Sequence, residues 1–211
     1  MAYGVPGRKL RSALQCRRSR VPSTAPFPRP LLLELSGMDA ARRTYIASLA
    51  ETIRQACAIG VPADVRGAVT CLGGTLRVMP DPGFEAMVEK CDAGFRITLA
   101  EEPIEARQRF SIAHELGHLF LHMGYLVDEK KWASITDYRD SVYYRFGYTE
   151  EEYEANEFAA ALLMPSAEFD AVARRYALGT SYDVTAIARH FGVSAPAARV
   201  RGRFLGLFTW E

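Results

Sequence analysis

The sequence predicts an α+β fold, in which a small antiparallel sheet packs on a helical core and a helix-turn-helix-like pair closes the C-terminal end. Apolar residues recur at helical spacing over several long segments. Short β-rich segments separated by turn residues lie between residues 75 and 100. Two helical segments flank a Gly-Val-Ser turn at 192–194. A chain of 211 residues, 49% of them hydrophobic, is long enough for one domain with a proper core.

Residues 1–37 differ in composition from the rest of the chain. They hold seven basic side chains, one acid and several prolines, which predicts a disordered tail. A transit peptide, a nucleic-acid contact or sequence upstream of a start at Met38 are the other interpretations. Residues 38–211, the predicted domain, carry 19 basic and 24 acidic side chains, and an acidic body is a poor non-specific binder of nucleic acid.

Neither a membrane span nor an export signal is found in the sequence. No apolar run approaches the ~20 residues of a membrane helix, and the three leucines at 31–33 are too few for the core of a signal peptide. We therefore expect a cytoplasmic protein without membrane contact. The spacing of Cys16, Cys57, Cys71 and Cys91 matches no zinc knuckle or obvious disulfide scaffold, so reduced thiols are expected.

Local signals place the elements in order. We predict helices at 39–58, after 62, from 105, at 149–164, at 166–176, and at 183–191 and 195–204, the last two lying within the helix-turn-helix-like region 182–206, and strands at 75–79, 84–91 and 95–100. Asp39 is the predicted cap of the first helix, and Asp92-Ala93-Gly94 is the predicted turn of a hairpin. The strand at 95–100 is the candidate for holding a substrate backbone by strand addition, which needs an edge strand, and the sequence leaves open whether this strand lies at the edge or in the centre of the sheet.

The segment His114-Glu115-Leu116-Gly117-His118 contains the pattern His-Glu-x-x-His on a predicted helix. Two histidines four residues apart lie on one face, so both imidazoles can reach one zinc ion. Glu115 lies between them and could accept a proton from the attacking water. The structural alternative is a core helix with satisfied histidines. Gly117 is a poor helix residue and indicates that another element packs closely there.

A catalytic zinc site needs a third protein ligand, for which the sequence offers two candidates. His122 follows His118 by four residues, but each such step turns about 40° around a helix, which aims His122 poorly. A carboxylate from a facing helix closes a tetrahedron more easily, so Glu152 is preferred. Thr149 and Glu152 also form a capping-box pattern, which competes with ligation. Asn156, one turn beyond Glu152, could orient a ligand.

These two motifs together resemble the ImmA/IrrE family of metallopeptidases. The resemblance rests on His114–His118 and on the run from Glu152 to Pro165, and it covers the chain from about Met38. It implies a zincin-like core with Zn²⁺ held by His114, His118 and Glu152, and Glu115 as the catalytic base. It also implies a protein substrate, a helix-turn-helix (XRE-type) repressor or an antitoxin partner, in a stress response or toxin–antitoxin pair.

Further polar residues are weaker candidates. Arg107 and Arg109 are expected in structural ion pairs, with a substrate carboxylate as the alternative. A tyrosine hydroxyl of the long connection could stabilise an oxyanion. The candidate tyrosines are Tyr143, Tyr144 and Tyr148. Arginines at 199, 201 and 203 could touch phosphate, although docking or structure is the preferred use of the last two helices. The alternative function is a non-proteolytic regulator that binds a repressor or DNA and keeps a structural metal site.

Overall fold

The computed structural model describes residues 38–92, 94–136 and 149–209. The predicted tail at 1–37 and the three candidate tyrosines at 143, 144 and 148 lie outside the described residues. The α+β class is confirmed. The helices are α1 (Ala40–Ala56), α2 (Val65–Cys71), α3 (Glu105–Gly117), α4 (Glu129–Ser134), α5 (Glu150–Leu163), α6 (Ser166–Arg175), α7 (Val184–Phe191) and α8 (Ala195–Phe204). The strands are β1 (Thr75–Met79), β2 (Ala86–Cys91), β3 (Gly94–Ala100), β4 (Ala177–Leu178) and β5 (Ser181–Tyr182).

Helix ends follow the local capping signals. Asp39 accepts a hydrogen bond from the backbone N–H of Arg42 and begins α1 as predicted. Asp183 caps α7 in the same way, and Gly192 ends it with a φ of 62°, a conformation that favours glycine. Ser194 then caps α8, so the helix-turn-helix-like pair is present at the expected residues. In the described ranges, no helix is both long and apolar enough to cross a bilayer.

The three-stranded sheet is mixed, which differs from the antiparallel arrangement expected. β2 and β3 form the predicted antiparallel hairpin, whereas β1 pairs with β3 in parallel. The strand order β1-β3-β2 therefore places β3 in the centre. The sequence left the position of 95–100 in the sheet open, and the structure rules out strand addition there, because β2 occupies one side of β3 and β1 occupies the other. A strand paired on both sides cannot accept a further backbone.

The core lies between the sheet, α3 and α5. The apolar positions predicted to bury one side of the site helix are all at most 1% exposed: Ile112, Ala113, Leu116, Leu119, Phe120 and Met123. Helix α1 packs along α5, and the buried side chain of Arg54 donates to the carbonyl of Leu162, 2.7 Å away. The first helix is thus part of the same core as the helices that carry the predicted site.

Gly117 lies where α3 crosses α5 at close range. A Cβ at this position would stand 2.9 Å from the Cα of Ala155 and 3.0 Å from its carbonyl oxygen. Contacts this short with backbone atoms leave no room for a side chain. The close packing inferred from this glycine is confirmed, and it brings the first turn of α5 beside the histidines of α3.

Cys57 and Cys71 are joined by a disulfide, so the expectation of reduced thiols was wrong for this pair. The end of α1 and the end of α2 bring their Cα atoms to 5.8 Å, a separation that a disulfide spans readily. The separation of 14 residues in sequence did not indicate this disulfide, because the disulfide depends on how α1 and α2 dock. Cys91 ends β2 with its thiol 4.0 Å from the carbonyl oxygen of Glu89, and Cys16 lies outside the described residues.

Replacing Gly117 with alanine should destabilise the protein. Alanine has a helix propensity better than that of glycine by about 1 kcal/mol. Its Cβ would, however, push α3 away from α5, and such overpacking lowers the free energy of unfolding by about 1–3 kcal/mol. Gly60→Ala is the matched control, since a Cβ at Gly60 meets nothing within 4 Å. Urea denaturation of the two variants measures the difference. A Gly117→Ala protein as stable as wild type would contradict the close crossing.

Candidate metal centre

Three of the residues singled out in the sequence converge at the crossing of α3 and α5. The Nε2 atoms of His114 and His118 are 3.0 Å apart. The carboxylate of Glu152 lies 3.3 Å from the His114 Nε2 and 3.2 Å from the His118 Nε2. The structure thus brings these two imidazoles and this carboxylate together, and all their ligating atoms lie within 4.8 Å of one another.

The spacing of these donor atoms suits a tetrahedral ion. Bonds of about 2.0–2.1 Å to zinc place neighbouring ligand atoms of a tetrahedron roughly 3.3 Å apart. The two Nε2 atoms are 3.0 Å apart, and each faces a different oxygen of the Glu152 carboxylate, His114 facing Oε2 at 3.3 Å and His118 facing Oε1 at 3.2 Å. Two histidines and one carboxylate are also a ligand set found in catalytic zinc sites. The residues present therefore fit a zinc ion, with a fourth position left for substrate or solvent.

The backbone N–H of Glu152 takes part in the N-terminal cap of α5, while its carboxylate lies at the candidate centre. Thr149 caps α5 by accepting a hydrogen bond from the Glu152 N–H at 3.4 Å. The Glu152 carboxylate turns instead toward the two imidazoles, so only half of the predicted capping box forms. Burial acts to raise the pKa of Glu152, but hydrogen bonds from His114 and His118 outweigh it and hold that pKa well below its ordinary value.

Asn156 holds the imidazole of His114 from the side away from Glu152. Its Oδ1 is 3.0 Å from the His114 Nδ1, one helical turn beyond Glu152 on α5. A ring N–H at Nδ1 donates to this oxygen, which leaves the Nε2 lone pair directed at the candidate ion. The structure therefore places Asn156 where it can orient a ligand, as the sequence suggested.

His122 does not join the three candidate ligands, although it was the alternative third ligand. A π-helical turn, His118–His122, follows α3 and brings the His122 Nδ1 to 2.9 Å from the His118 Nδ1. The other ring nitrogen of His122 lies 3.0 Å from Oε2 of Glu154. Both nitrogens are thus engaged away from the centre. Burial, and then the neighbouring His118, lower the pKa of His122 to about 4.

Glu154 is bound on its other side by Arg42 of α1. The guanidinium donates two hydrogen bonds of 2.5 Å, one to each carboxylate oxygen. Burial acts to raise the pKa of Glu154, but the hydrogen bonds from Arg42 and His122 hold it below its ordinary value. In the sequence, Glu154 is one of several acids close to the start of α5 and has no feature that marks this role. The one local signal for this network was a third histidine four residues after His118.

Glu115, the predicted base, is buried beside the candidate ligands and is only 2% exposed. The side chains of His114 and Glu152 are 15% and 22% exposed, while that of His118 is 5% exposed. The candidate centre is therefore open on the side of His114 and Glu152 and closed on the side of His118. A ligand would reach the candidate centre from this open side.

Four of the five arginines proposed as substrate or phosphate contacts have structural partners. Arg107 pairs with Glu85 and Glu102. Arg109 bonds to Glu105 of the same helix and to the carbonyl of Gly192. In α8, Arg201 is 4% exposed and bonds to the Met164 carbonyl and Glu157, and Arg203 donates to the Thr209 carbonyl. Arg201 at least is unavailable to phosphate.

Comparison with known proteins gives a family match and a fold match. The family model for peptidase M78, described as the IrrE N-terminal-like domain, matches residues 90–202. No curated protein matches the sequence. Among solved structures, a Mycobacterium tuberculosis transcriptional regulator is similar, with 18% sequence identity and a TM-score of 0.50 over 76% of this chain. The aligned part is 48% of that regulator, so this chain spans about half its length.

The neutral, buried state of His122 predicts a pH-dependent stability in the metal-free protein. Its pKa of about 4 in the folded chain lies below the ~6.5 of an unfolded histidine. Between pH ~4 and pH ~6.5, only the unfolded state binds a proton at His122. The contribution of His122 to the free energy of unfolding is therefore complete above pH ~6.5 and is lost as the pH falls toward ~4. The free energy of unfolding should therefore drop by up to about 1.4 kcal/mol per pH unit.

Urea titrations of wild type and His122→Gln across this window check the prediction. Glutamine keeps an acceptor and a donor but does not titrate, so the variant should show the shallower pH slope. Above pH ~7.5 neither protein takes up a proton here, and the two slopes should agree. Equal slopes between pH 5 and 6 would contradict the assignment.

Proposed function

This chain belongs to the peptidase M78 family of IrrE N-terminal-like domains, and we propose that it is a zinc-dependent endopeptidase. The observation that carries the proposal is the convergence of His114, His118 and Glu152, whose ligating atoms lie within 4.8 Å of one another. These three residues would hold Zn²⁺, and Glu115 would act as the catalytic base. An ion held there would polarise the scissile carbonyl and lower the pKa of the attacking water.

Glu115 would move the proton that peptide hydrolysis requires. Its carboxylate would accept a proton from the attacking water as the carbon–oxygen bond forms. It would return that proton to the amide nitrogen as the carbon–nitrogen bond breaks. Its burial beside His114 removes bulk water from this transfer. A structural metal site needs no such group, which favours a peptidase over a metal-stabilised regulator.

An extended substrate would run along an outer strand of the sheet. Because β3 is paired on both sides, only β1 and β2 offer an outer edge in the three-stranded sheet. β2 packs against α3, and Ser111 of α3 donates to Glu85 at its start over 2.8 Å. We therefore replace the 95–100 strand with β2 as the proposed backbone guide.

The proposed substrate is a helix-turn-helix repressor or an antitoxin-like regulator. Support comes from the resemblance of the two motifs to the ImmA/IrrE family and from the family match. The acidic body opposes non-specific nucleic-acid binding, and the burial of Arg201 removes one candidate phosphate contact from α8. A protein partner is accordingly preferred over DNA.

A second candidate is a regulator that binds a repressor without cleaving it. Its support is the similarity of fold to a transcriptional regulator and the helix pair formed by α7 and α8. Experiments with a chelator and with a Glu115 variant distinguish proteolysis from binding without cleavage. Binding would survive chelation and loss of Glu115, whereas cleavage would survive neither.

Glu115→Gln should keep zinc and lose cleavage by about 10²–10⁴-fold, the usual contribution of a general base. The protein would be incubated with Zn²⁺ and a repressor encoded beside its gene, and the products separated on a gel and identified by mass spectrometry. Glu157→Gln is a matched control on α5, since Glu157 pairs with Arg201 and not with the candidate ligands. Full cleavage by Glu115→Gln would refute the base assignment. Repressor binding without any cleaved product, unchanged in the variant and after chelation, would favour the second candidate.

Glu152→Gln should lose most of its bound zinc, because an amide cannot supply the carboxylate charge that the third position needs. Glu151→Gln changes the neighbouring exposed residue of the same helix and should retain the metal. Elemental analysis of the two purified proteins measures the difference. Equal zinc content in both would exclude Glu152 as the third ligand.

A further inference from the structure

We propose that His122, Glu154 and Arg42 are positioning residues that fix the ring orientation and tautomer of His118. They form a continuous hydrogen-bonded relay from the candidate metal centre to the surface of α1. The inference rests on the proposed function, because it concerns how His118 presents its Nε2 atom to a metal ion. It assigns a role to residues that are neither metal ligands nor part of the proton transfer.

The relay has only one consistent order of donors and acceptors. If the Nε2 of His118 offers its lone pair to an ion, the proton of that neutral ring lies on Nδ1. This N–H donates to the His122 Nδ1, 2.9 Å away. The His122 proton then lies on Nε2 and donates to Oε2 of Glu154 at 3.0 Å. The carboxylate can only accept, so it ends the series and sets its direction.

Arg42 holds the carboxylate at the end of the relay. Its two hydrogen bonds of 2.5 Å reach both oxygens of Glu154 and fix the plane of the carboxylate. The side chains of His118, His122 and Glu154 retain only 5%, 6% and 8% exposure, whereas that of Arg42 retains 36%. A buried carboxylate needs such a partner, because an unpaired charge at this depth is strongly unfavourable.

The two candidate histidine ligands are therefore oriented from opposite sides by different means. Asn156 accepts from His114 directly, while His118 is reached through His122 and Glu154. Both Asn156 and Glu154 come from α5, which also supplies Glu152. A shift of α1 that moved Arg42 would be transmitted to His118, but would leave the bond between His114 and Asn156 in place.

The experiment measures Zn²⁺ affinity by competition with a chromophoric chelator, and the visible spectrum of the Co²⁺-loaded protein. His122→Phe should weaken Zn²⁺ binding about 10–100-fold, the usual effect of removing a partner of a ligating histidine. Glu154→Gln keeps an acceptor oxygen but loses the charge that binds Arg42, so it should weaken Zn²⁺ binding toward the lower end of that range. Their Co²⁺ spectra should also shift, because the His118 ring is no longer held. His122→Gln, which retains an acceptor and a donor, should recover most of the affinity.

Glu157→Gln is the matched control, since Glu157 lies on the same helix and pairs with a buried arginine, Arg201. It should lower thermal stability without changing metal affinity or the Co²⁺ spectrum. Arg42→Met tests the relay from its exposed end, where a change is less disruptive to folding. It should weaken Zn²⁺ binding in the same direction but by less than Glu154→Gln.

The outcomes separate the relay from the proposed function. Wild-type protein that binds Zn²⁺, with Glu154→Gln, His122→Phe and Arg42→Met all within about twofold of it, would overturn the relay and leave the peptidase proposal standing. Wild-type protein that binds no Zn²⁺ would overturn both. Weaker binding by the relay variants, with normal binding by Glu157→Gln, would support the relay.

Discussion

The close crossing of α3 and α5 is the constraint on which the rest of the structure depends. Gly117 allows the backbones to approach until a Cβ would stand 2.9 Å from the Cα of Ala155. At that separation the first turn of α5 lies beside the histidines of α3, so the short side chain of Glu152 reaches both rings. A wider crossing would leave the carboxylate in solvent. The chemistry proposed for the protein therefore depends on having glycine, which has no Cβ, at position 117.

The parts of this arrangement that depend on local spacing were visible in the sequence. Two histidines four residues apart on a helix must share a face, and Asp39 caps α1 where it was expected to. The choice of Glu152 over His122 followed from helix geometry, and the structure brings Glu152 to both imidazoles. The α+β class followed in the same way from the periodicity of apolar residues.

The parts that depend on contacts between distant segments were not visible. Arg42 and Glu154 are 112 residues apart, and nothing near either one indicates the other. The disulfide depends on how α1 and α2 dock, and the parallel pairing of β1 depends on which edge of the hairpin it meets. The π-helical turn that carries His122 away from the centre depends on the packing around it. Two short elements, α4 and the β4–β5 pair, were also missed, because each has too few residues for a periodic pattern.

The bond between Arg42 and Glu154 has a consequence for where this domain can be cut. The family match begins at residue 90, so α1, α2 and β1 all precede it. A polypeptide trimmed to the matched region would expose the face of α5 that α1 covers, deprive Glu154 of its guanidinium and leave one side of β3 unpaired. The region that the family model matches therefore relies on residues that precede it to neutralise the buried carboxylate of Glu154.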